Sequence, residues 1–369
     1  VQNILDGGAD SRLVLSESTV AMLANNNIQI APEIRTVPDE TLYNTLFRDR
    51  SRYTVLPFDQ LAVNYRVLSV DGEHPLDSDL SLYPLAFISD SPNFFLDRLT
   101  TMTLSGVTAL TRGTLMALDT QGLEWATEAI LPYVTQSDYF HTSNEVSFYE
   151  NCPQFNNETL GGSTSFCSKP EHFELFNLLD VDVVELSGNH NNDYGYDIYR
   201  ETLSWFGDND MLTVGGGETL MDARQPVILQ HQDNMIAMIA CNWIGPYYAL
   251  VNADPALTGG VRPGAAFCDT EWLEATLPQL AFENDVVIVT VQYPEVDAFV
   301  PPDNQRFDFR QLADWGADVV IGTSSHFPQS VEFYAPVGGG RTAFIHYGLG
   351  NLFFDQTFFG GTRFFMDRL

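Results

Sequence analysis

The side chains best suited to chemistry lie in residues 181–195, which read VDVVELSGNHNNDYG. The valine-rich start of this segment predicts a short strand, and the turn after it carries Asn189, His190 and Asp193. In open α/β sheets, ligand-binding and catalytic groups collect just beyond the carboxyl ends of strands. An amide oxygen and an imidazole both bind metals, and an imidazole also transfers protons. The segment therefore predicts metal or acid–base chemistry; the alternative is that its polar residues only cap the helix predicted at 197–206.

Three further polar residues join this set of candidates, because each follows a segment with the pattern of a strand. They are Glu145, Glu295 and His326. Strands, polar turns and helices alternate throughout residues 99–369, and this order predicts a layered α/β fold. We expect the candidate side chains to meet at the edge of such a fold where the strands end.

Residues 1–95 predict a separate, small α/β unit. Strands are predicted at 28–34, 53–56 and 65–70, and a helix is predicted at 39–47. Part of this unit resembles the closing segment of a periplasmic-binding-protein lobe, in the run TVLPFDQL…YRVLSVDG. The unit contains no phosphate-binding loop and no cluster of candidate ligands.

The composition is dominated by negative charge. Among 369 residues, Asp and Glu number 49 and Lys and Arg number 17, which gives a formal net charge of −32. Such a chain repels phosphates and anionic lipids, so nucleic acid and anionic membranes are excluded as partners. No run of about 18 apolar residues exists, so no transmembrane segment is predicted. The sequence begins at Val1 without an initiator methionine or signal peptide, which favours a processed or trimmed chain.

The four cysteines form two local pairs, Cys152 with Cys167 and Cys241 with Cys268. Neither spacing is that of a zinc ribbon or a thioredoxin motif. Each pair brackets a loop rich in Asn, Gly, Pro or Ser, where a covalent link restricts the unfolded chain. We therefore predict two disulfides and a location outside the cytoplasm, in the cell envelope or the extracellular space.

Five segments of residues 99–369 resemble, in their order, the CapA family of poly-γ-glutamate capsule biosynthesis proteins. The segments read SNE at 143–145, GNHNNDYG at 188–195, GADVVIG at 316–322, HFPQ at 326–329 and YGLGNLFFDQ at 347–356. This family shares the calcineurin-like metallophosphatase fold. The resemblance implies a layered sandwich of two mixed β-sheets flanked by helices, with a polar cleft at one edge.

The resemblance also implies metal ligands that this sequence lacks. The family's first strand usually ends in Gly-Asp, but here Val107 follows the glycine, and Gln292 and Ser324 stand where the family carries histidines. A two-metal hydrolase normally draws on six or more ligands, so we expect at most one divalent ion. Its ligands would be four side chains: Glu145, Asn189, His190 and His326. The alternative is a hydrogen-bonded polar cleft left over from an ancestral metal site.

Two classes of function follow from these observations. The first is an exported CapA-like protein acting on an anionic envelope polymer such as polyglutamate, or on a small phosphoester substrate. Its catalytic residues would be His190 as general acid or base, Asp193 and Glu295. The second is a catalytically inactive extracellular protein that self-assembles into oligomers or filaments. For that class we expect contacts through the N-terminal unit or through the aromatic residues near the end, which are Phe353, Phe354, Phe358, Phe359, Phe364 and Phe365.

Overall fold

A computed structural model describes most of the chain. The described residues are 8, 10–76, 80–86, 93–153, 165–252, 260–296, 298–326 and 328–355. The chain divides into two compact units, Val1–Leu99 and Thr100–Leu369. Four of the C-terminal aromatics considered above, Phe358, Phe359, Phe364 and Phe365, lie outside the described residues.

The first unit is a small α/β arrangement. Its elements are β1 (Val14–Ser16), α1 (Glu17–Asn25), β2 (Arg35–Val37) and α2 (Asp39–Arg48). The two strands pair in parallel. Helix α1 begins where the side chain of Ser16 accepts a hydrogen bond from the backbone N–H of Thr19. Leucines 13, 15 and 23 form the centre of its core together with Ile34.

Two details of the predicted first unit are wrong. The strand predicted at 28–34 is absent, and the observed strand β2 begins only at Arg35. Pro32 has no backbone N–H to donate to a neighbouring strand. Residues 28–31 pack against the core as irregular chain. The strands predicted at 53–56 and 65–70 are reduced to isolated bridges at Tyr53 and Val70. The proposed likeness to a periplasmic-binding-protein lobe stays a prediction.

The second unit contains the remaining elements. Its strands are β3 (Met102–Thr108), β4 (Tyr139–Asn144), β5 (Val183–Glu185), β6 (Leu212–Val214), β7 (Gly216–Gly217), β8 (Val227–His231), β9 (Asn234–Asn242), β10 (Gly264–Ala265), β11 (Val286–Gln292), β12 (Val319–Gly322), β13 (Val331–Tyr334), β14 (Ala343–His346) and β15 (Asn351–Phe353). Its α-helices are α3 (Arg112–Gln121), α4 (Leu123–Thr127), α5 (Leu131–Val134), α6 (Glu174–Leu178), α7 (Tyr196–Asp208), α8 (Leu220–Arg224), α9 (Thr270–Glu283) and α10 (Asp303–Asp314).

These strands build two principal sheets. The five-stranded sheet has the order β15-β3-β4-β5-β6, and all of its pairs are parallel. The six-stranded sheet has the order β13-β14-β12-β11-β9-β8 and is mixed, because its two outermost pairs are antiparallel. Strands β7 and β10 form a small antiparallel pair.

Three apolar clusters show how the layers pack. Valines of β11 pack with leucines of α9 and α10 on the outer face of the six-stranded sheet. Phenylalanines and leucines of α6 and α7 cover the outer face of the five-stranded sheet. A third cluster joins the facing sides of the sheets, with Val183 and Val214 against Met238 and Ile288. The predicted layered sandwich of two sheets flanked by helices is therefore confirmed, and one of its sheets is parallel throughout.

The space between the sheets changes from apolar to polar along the strands. Val286 and Ile288 of β11 belong to the inter-sheet cluster, and the same alternation places Thr290 and Gln292 on that side. All side chains from Val287 to Gln292 are buried. The polar half lies at the carboxyl ends of the strands, so these ends point their polar groups toward one edge of the sandwich.

Both predicted disulfides are confirmed in the structure. Cys152 bonds to Cys167, and Cys241 bonds to Cys268. In the parts of the chain that the structure describes, no helix is long and apolar enough to cross a membrane. Helices α4 and α5 are separate elements, because Pro132 at the start of α5 cannot continue a helix from the preceding turn.

Candidate functional site

The predicted site residues lie beyond the strand ends at the polar edge of the sandwich. Glu145 follows β4, Asn189 and His190 follow β5, and His326 follows β12. Glu295 follows β11 by three residues. The charges of Glu145 and Glu295 act on both imidazoles, so the structure brings these groups together in one cleft. Their chemical roles stay predictions.

The loops of the cleft meet through unusually close backbone packing. A Cβ atom added to Gly188 would lie 2.7 Å from Cα of Glu145 and 2.9 Å from its carbonyl oxygen. Only glycine allows the loop after β5 to lie against the loop after β4 in this way. This contact sets Asn189 and His190 beside Glu145.

His190 and Asp193 form the first of two imidazole–carboxylate pairs. Nδ1 of His190 lies 2.7 Å from Oδ2 of Asp193. The same carboxylate accepts hydrogen bonds from the backbone N–H of Phe166 at 2.8 Å and from the hydroxyl of Tyr248 at 3.2 Å. Burial alone would lower the pKa of His190, but the bond to Asp193 and the charges of Glu145, Asp193 and Glu295 raise it. Asp193 therefore fixes the ring and favours its protonated form.

His326 and Glu295 form the second pair. Nε2 of His326 lies 3.2 Å from Oε1 of Glu295, and Nδ1 lies 2.9 Å from Oδ1 of Asn351. The side chain of His326 is 6% exposed and that of Glu295 is 47% exposed. Burial opposes protonation of His326, but the bond to Glu295 and the nearby carboxylates raise its pKa. Burial would raise the pKa of Glu295, but its bond to His326 and the positive charges of His326, His190 and Arg112 together lower it.

Gln292 occupies the centre of the cleft, where the family resemblance implied a histidine. Its side-chain nitrogen donates to Oε1 of Glu145 and to Oδ1 of Asn189, both at 2.9 Å. A neutral amide thus stands between two oxygens that a cation would otherwise draw together. Ser324, at another expected histidine position, bonds to the backbone of Tyr293.

These contacts do not fit a resident metal ion. Within the described ranges, no three or more His, Cys, Asp or Glu side chains are grouped so as to hold a metal. Oε1 of Glu145 and Oδ1 of Asn189 already accept from Gln292, and both ring nitrogens of His326 are hydrogen-bonded. No chemical step proposed below depends on a metal. The predicted single ion stays a prediction.

A cluster of cationic and aromatic side chains lies in the cleft. Its members are His190, Phe166, Arg112, Phe354 and His326. The rings of His190 and Phe166 are 4.6 Å apart, those of Phe354 and His326 are 4.7 Å apart, and those of Phe166 and Phe354 are 6.5 Å apart. The Arg112 guanidinium lies 4.9 Å from the ring centre of Phe166 and 4.7 Å from that of Phe354. We call this cluster the Arg112 stack, and cation–π attraction stabilises its centre.

Val107 supports the stack from behind. It is fully buried in an apolar cluster with Val146, Phe166 and Phe354. The position where the family resemblance implied a metal-binding carboxylate therefore packs against the two rings of the stack. This substitution exchanges a charged ligand for apolar support.

Sequence reasoning missed Arg112 and Phe166. Arg112 lies just past the end of β3 and is one of only 17 basic residues in an acidic chain, which was a usable signal. Phe166 precedes Cys167, and nothing in the sequence distinguishes it from a core aromatic residue. Gln292 was recognised as a departure from the family, but its bridging role required the structure.

A family comparison covers most of the second unit. Residues 101–356 match the model of the bacterial capsule synthesis protein family PGA_cap. The chain is 26% identical to the PGA biosynthesis protein CapA of Bacillus subtilis (strain 168) over 247 residues, which is 66% of this chain and 59% of the relative. It is 24% identical to the capsule biosynthesis protein CapA of Bacillus anthracis over 263 residues, or 71% of this chain and 61% of the relative.

The chain thus spans about three fifths of the length of these curated relatives. A crystal structure of a hypothetical protein from Thermus thermophilus is 14% identical with a TM-score of 0.36, over 68% of this chain and 76% of that chain. Nothing below depends on that structural similarity. The family match covers well over half of the sequence and confirms the resemblance first read from five short segments. The chain belongs to the bacterial capsule synthesis protein family PGA_cap.

Proposed function

We propose that this protein acts outside the cytoplasm on an anionic capsule polymer such as poly-γ-glutamate, by acid–base chemistry at an amide bond. The observation that carries the proposal is the convergence of two imidazole–carboxylate pairs, His190–Asp193 and His326–Glu295, in one cleft. Membership of a capsule synthesis family supports the polymer, and two disulfides support the location.

His190 is suited to act as the base. Its Nδ1 is engaged by Asp193, and Nε2 has no hydrogen-bond partner among the described residues. The neutral ring donates from Nδ1 to Asp193 and can therefore take a proton at Nε2 from an attacking water. The water oxygen bonds to the amide carbon, and the carbon–nitrogen bond breaks. His190 then passes this proton from Nε2 to the departing amine, so the products are a carboxylate and an amine. His326, held by Glu295 and Asn351, favours the negative charge that develops on the amide oxygen.

Net charge should govern how such a substrate approaches. The formal charge of −32 repels a polyanion, and this repulsion weakens over about 10 Å at an ionic strength near 0.1 M. We therefore expect polymer to associate weakly in dilute buffer and more strongly as salt or divalent cations screen the surface. Assays need to cover a range of salt concentrations.

The proposal is tested by incubating the protein with poly-γ-glutamate and following polymer length by light scattering and new amines by fluorescent labelling. We expect shortening of the polymer that His190→Gln abolishes. His231→Gln is the matched control, because His231 also faces an aspartate, with Nε2 3.5 Å from Oδ1 of Asp138. Asp138 precedes β4, so this pair lies at the opposite end of the strand from the cleft. Unchanged polymer at every salt concentration, or equal rates for wild type and His190→Gln, would overturn the proposal.

One observation favours a second candidate, a catalytically inactive extracellular protein that self-assembles. Gln292 satisfies the oxygens of Glu145 and Asn189 within the protein, as in a cleft that no longer needs a ligand. Screening of the −32 charge would then promote homo-oligomers. Sedimentation across salt and Ca²⁺ concentrations tests this candidate, and a monomer under all conditions would remove it.

A further inference from the structure

The Arg112 stack has no role in the acid–base steps described above. Resting on the proposed function, we propose that Arg112 binds a carboxylate group of the polymer and so selects a glutamate-type chain over neutral or phosphate-bearing ones.

The first argument is the number of donors that Arg112 leaves available. A guanidinium carries five N–H donors. Among the described residues, the Arg112 side chain makes one hydrogen bond, from Nη2 to the backbone carbonyl of Asp355. Its Nε atom is buried without a partner. Asp355, Glu145 and Glu295 act on it through their charges, and the hydrogen bonds of Glu145 and Glu295 go to Gln292 and His326 instead.

The second argument is the fixed orientation of the guanidinium. Phe166 and Phe354 both pack against it and against each other, with their ring centres 6.5 Å apart. Phe166 is itself held, because its backbone N–H donates to Asp193 and its ring packs with Val107. A guanidinium held by two rings binds further partners through its N–H groups, and these match a planar carboxylate. The preorganised side chain also loses little entropy on binding.

The third argument distinguishes a carboxylate from a phosphate. The N-terminus of α3, which would otherwise attract a phosphate, is occupied by Asp355, whose Oδ1 accepts from the backbone N–H of Thr114 at 3.0 Å. The only lysine, Lys169, is paired with Asp119 at 2.6 Å. Nearby carboxylates repel a dianion more than a monoanion. One available guanidinium thus favours a singly charged, planar group.

The position of Arg112 connects this role to the acid–base groups. His190 lies against Phe166, and His326 lies against Phe354. A carboxylate bound at the centre would therefore place the same glutamate unit next to both imidazoles. The methylene groups of such a unit can pack on the flanking rings.

The test measures binding, by calorimetry at fixed salt, of a short γ-linked glutamate oligomer and of its methyl ester. We expect Arg112→Gln to weaken binding of the acid at least about tenfold, and Arg112→Lys to weaken it less, since an ammonium keeps the charge but lacks the planar fork. Phe166→Leu, which keeps the charge and removes one of the two rings packed against the guanidinium, should also weaken binding. The matched control is Arg310→Gln, because Arg310 also lies over a ring, 5.5 Å from that of Tyr334, but on α10.

Several results would overturn the assignment. One is a folded Arg112→Gln variant with unchanged affinity, and another is stronger competition by inorganic phosphate than by acetate. If Arg112→Gln fails to fold, binding of the acid and of the ester to the wild-type protein still tests the assignment. Equal affinities for the two would exclude carboxylate recognition.

The His190→Gln variant separates this inference from the proposed function. We expect it to bind the oligomer and fail to cut polymer. Acid-selective binding that needs Arg112, in a protein that never cuts polymer, would refute the chemistry and keep the carboxylate site. Cutting that does not depend on Arg112 would keep the chemistry and refute the site.

Discussion

The side-chain nitrogen of Gln292 lies 2.9 Å from Oε1 of Glu145, and this hydrogen bond joins the strand ends of the two sheets. The residues come from β11 and from the turn after β4, which belong to different layers. A neutral side chain therefore links the two sheets at the position where the family resemblance implied metal ligands. The consequences for metals, pH and packing can each be measured.

The first prediction concerns metal binding. We expect the natural protein, purified without chelators, to bind at most one divalent ion, since Oε1 of Glu145, Oδ1 of Asn189 and both ring nitrogens of His326 already form hydrogen bonds. Replacing Gln292→His and Ser324→His together returns two imidazoles and should tighten Mn²⁺ binding at least about tenfold. Elemental analysis and calorimetry would measure both proteins. Two equivalents of metal in the natural protein would show that these substitutions do not disable the site.

The second prediction concerns pH. The pKa of His190 is raised in the folded protein, so its contribution to the free energy of unfolding is complete below its unfolded value of about 6.5 and is lost as the pH rises through the folded value. The stability difference between wild type and His190→Gln should therefore shrink as the pH rises above about 6.5. Urea titrations at several pH values would measure it.

His172 supplies a control of opposite sign for this experiment. Burial lowers the pKa of His172 despite its bond to Asp119. The folded state then holds fewer protons than the unfolded state near the unfolded pKa, so stability rises with pH there. The difference between wild type and His172→Gln should consequently grow as the pH rises toward about 6.5. Identical trends for His190→Gln and His172→Gln would contradict both assignments.

The third prediction concerns the contact of Gly188 with Glu145. Gly188→Ala adds a Cβ where the backbone of Glu145 leaves no space, so we expect a loss of about 1–3 kcal/mol in the free energy of unfolding. Gly207→Ala is the matched control, because Gly207 lies in α7 with nothing within 4 Å of its added Cβ. That change should be neutral or stabilising by up to about 1 kcal/mol. Equal effects of the two changes would refute the steric explanation.

The fourth prediction concerns a buried pair beneath the cleft. His141 and Glu185 are fully buried, and Nε2 lies 3.6 Å from Oε2, which is beyond hydrogen-bond distance. The remaining carboxylate oxygen accepts from Thr323 at 2.8 Å. His141→Leu alone leaves Glu185 without its partner and should cost about 3 kcal/mol, whereas adding Glu185→Leu should recover most of that loss. Unfolding of the single and double variants would reveal the coupling, and simply additive losses would contradict it.

The fifth prediction concerns the disulfides. The bridges close loops with sequence separations of 15 and 27 residues. In the chain-entropy description they stabilise the protein by about 3 and about 3.5 kcal/mol. Replacing both cysteines of one bridge with alanine should therefore have the larger effect at Cys241–Cys268. Mass spectrometry of a non-reduced digest would check the pairing first, and free thiols would remove this support for an extracytoplasmic location.

Long periodic elements were predictable from the sequence, whereas short ones were not. The helix predicted at 39–47 is α2, Asp39–Arg48, and the helix predicted at 197–206 is α7, Tyr196–Asp208. Strand β6 was missed because it has three residues, of which Leu212 is exposed. Such a strand forms only because it pairs with β5, and this pairing produces no recognisable pattern in the local sequence.

The candidate site divides in the same way. Polar residues after strands identified both imidazoles, since the position of a strand end is a local property. The Arg112 stack was not predictable, because Phe166 and Phe354 come from distant loops and their contact with Arg112 is set by tertiary packing. Likewise, the two hydrogen bonds of Gln292 depend on the distance between the sheets.

The parallel pairing of β15 with β3 has a consequence for how the protein is made. β15 is the last strand of the sheet to leave the ribosome, and it lies beside the first. Asp355, just after it, caps α3, and Phe354 covers Arg112. Chains emerge from the amino end and fold as they appear. The part of the cleft that follows β15 therefore forms only after more than two hundred further residues have been synthesised. The nascent chain therefore lacks a complete Arg112 stack until synthesis has passed residue 355.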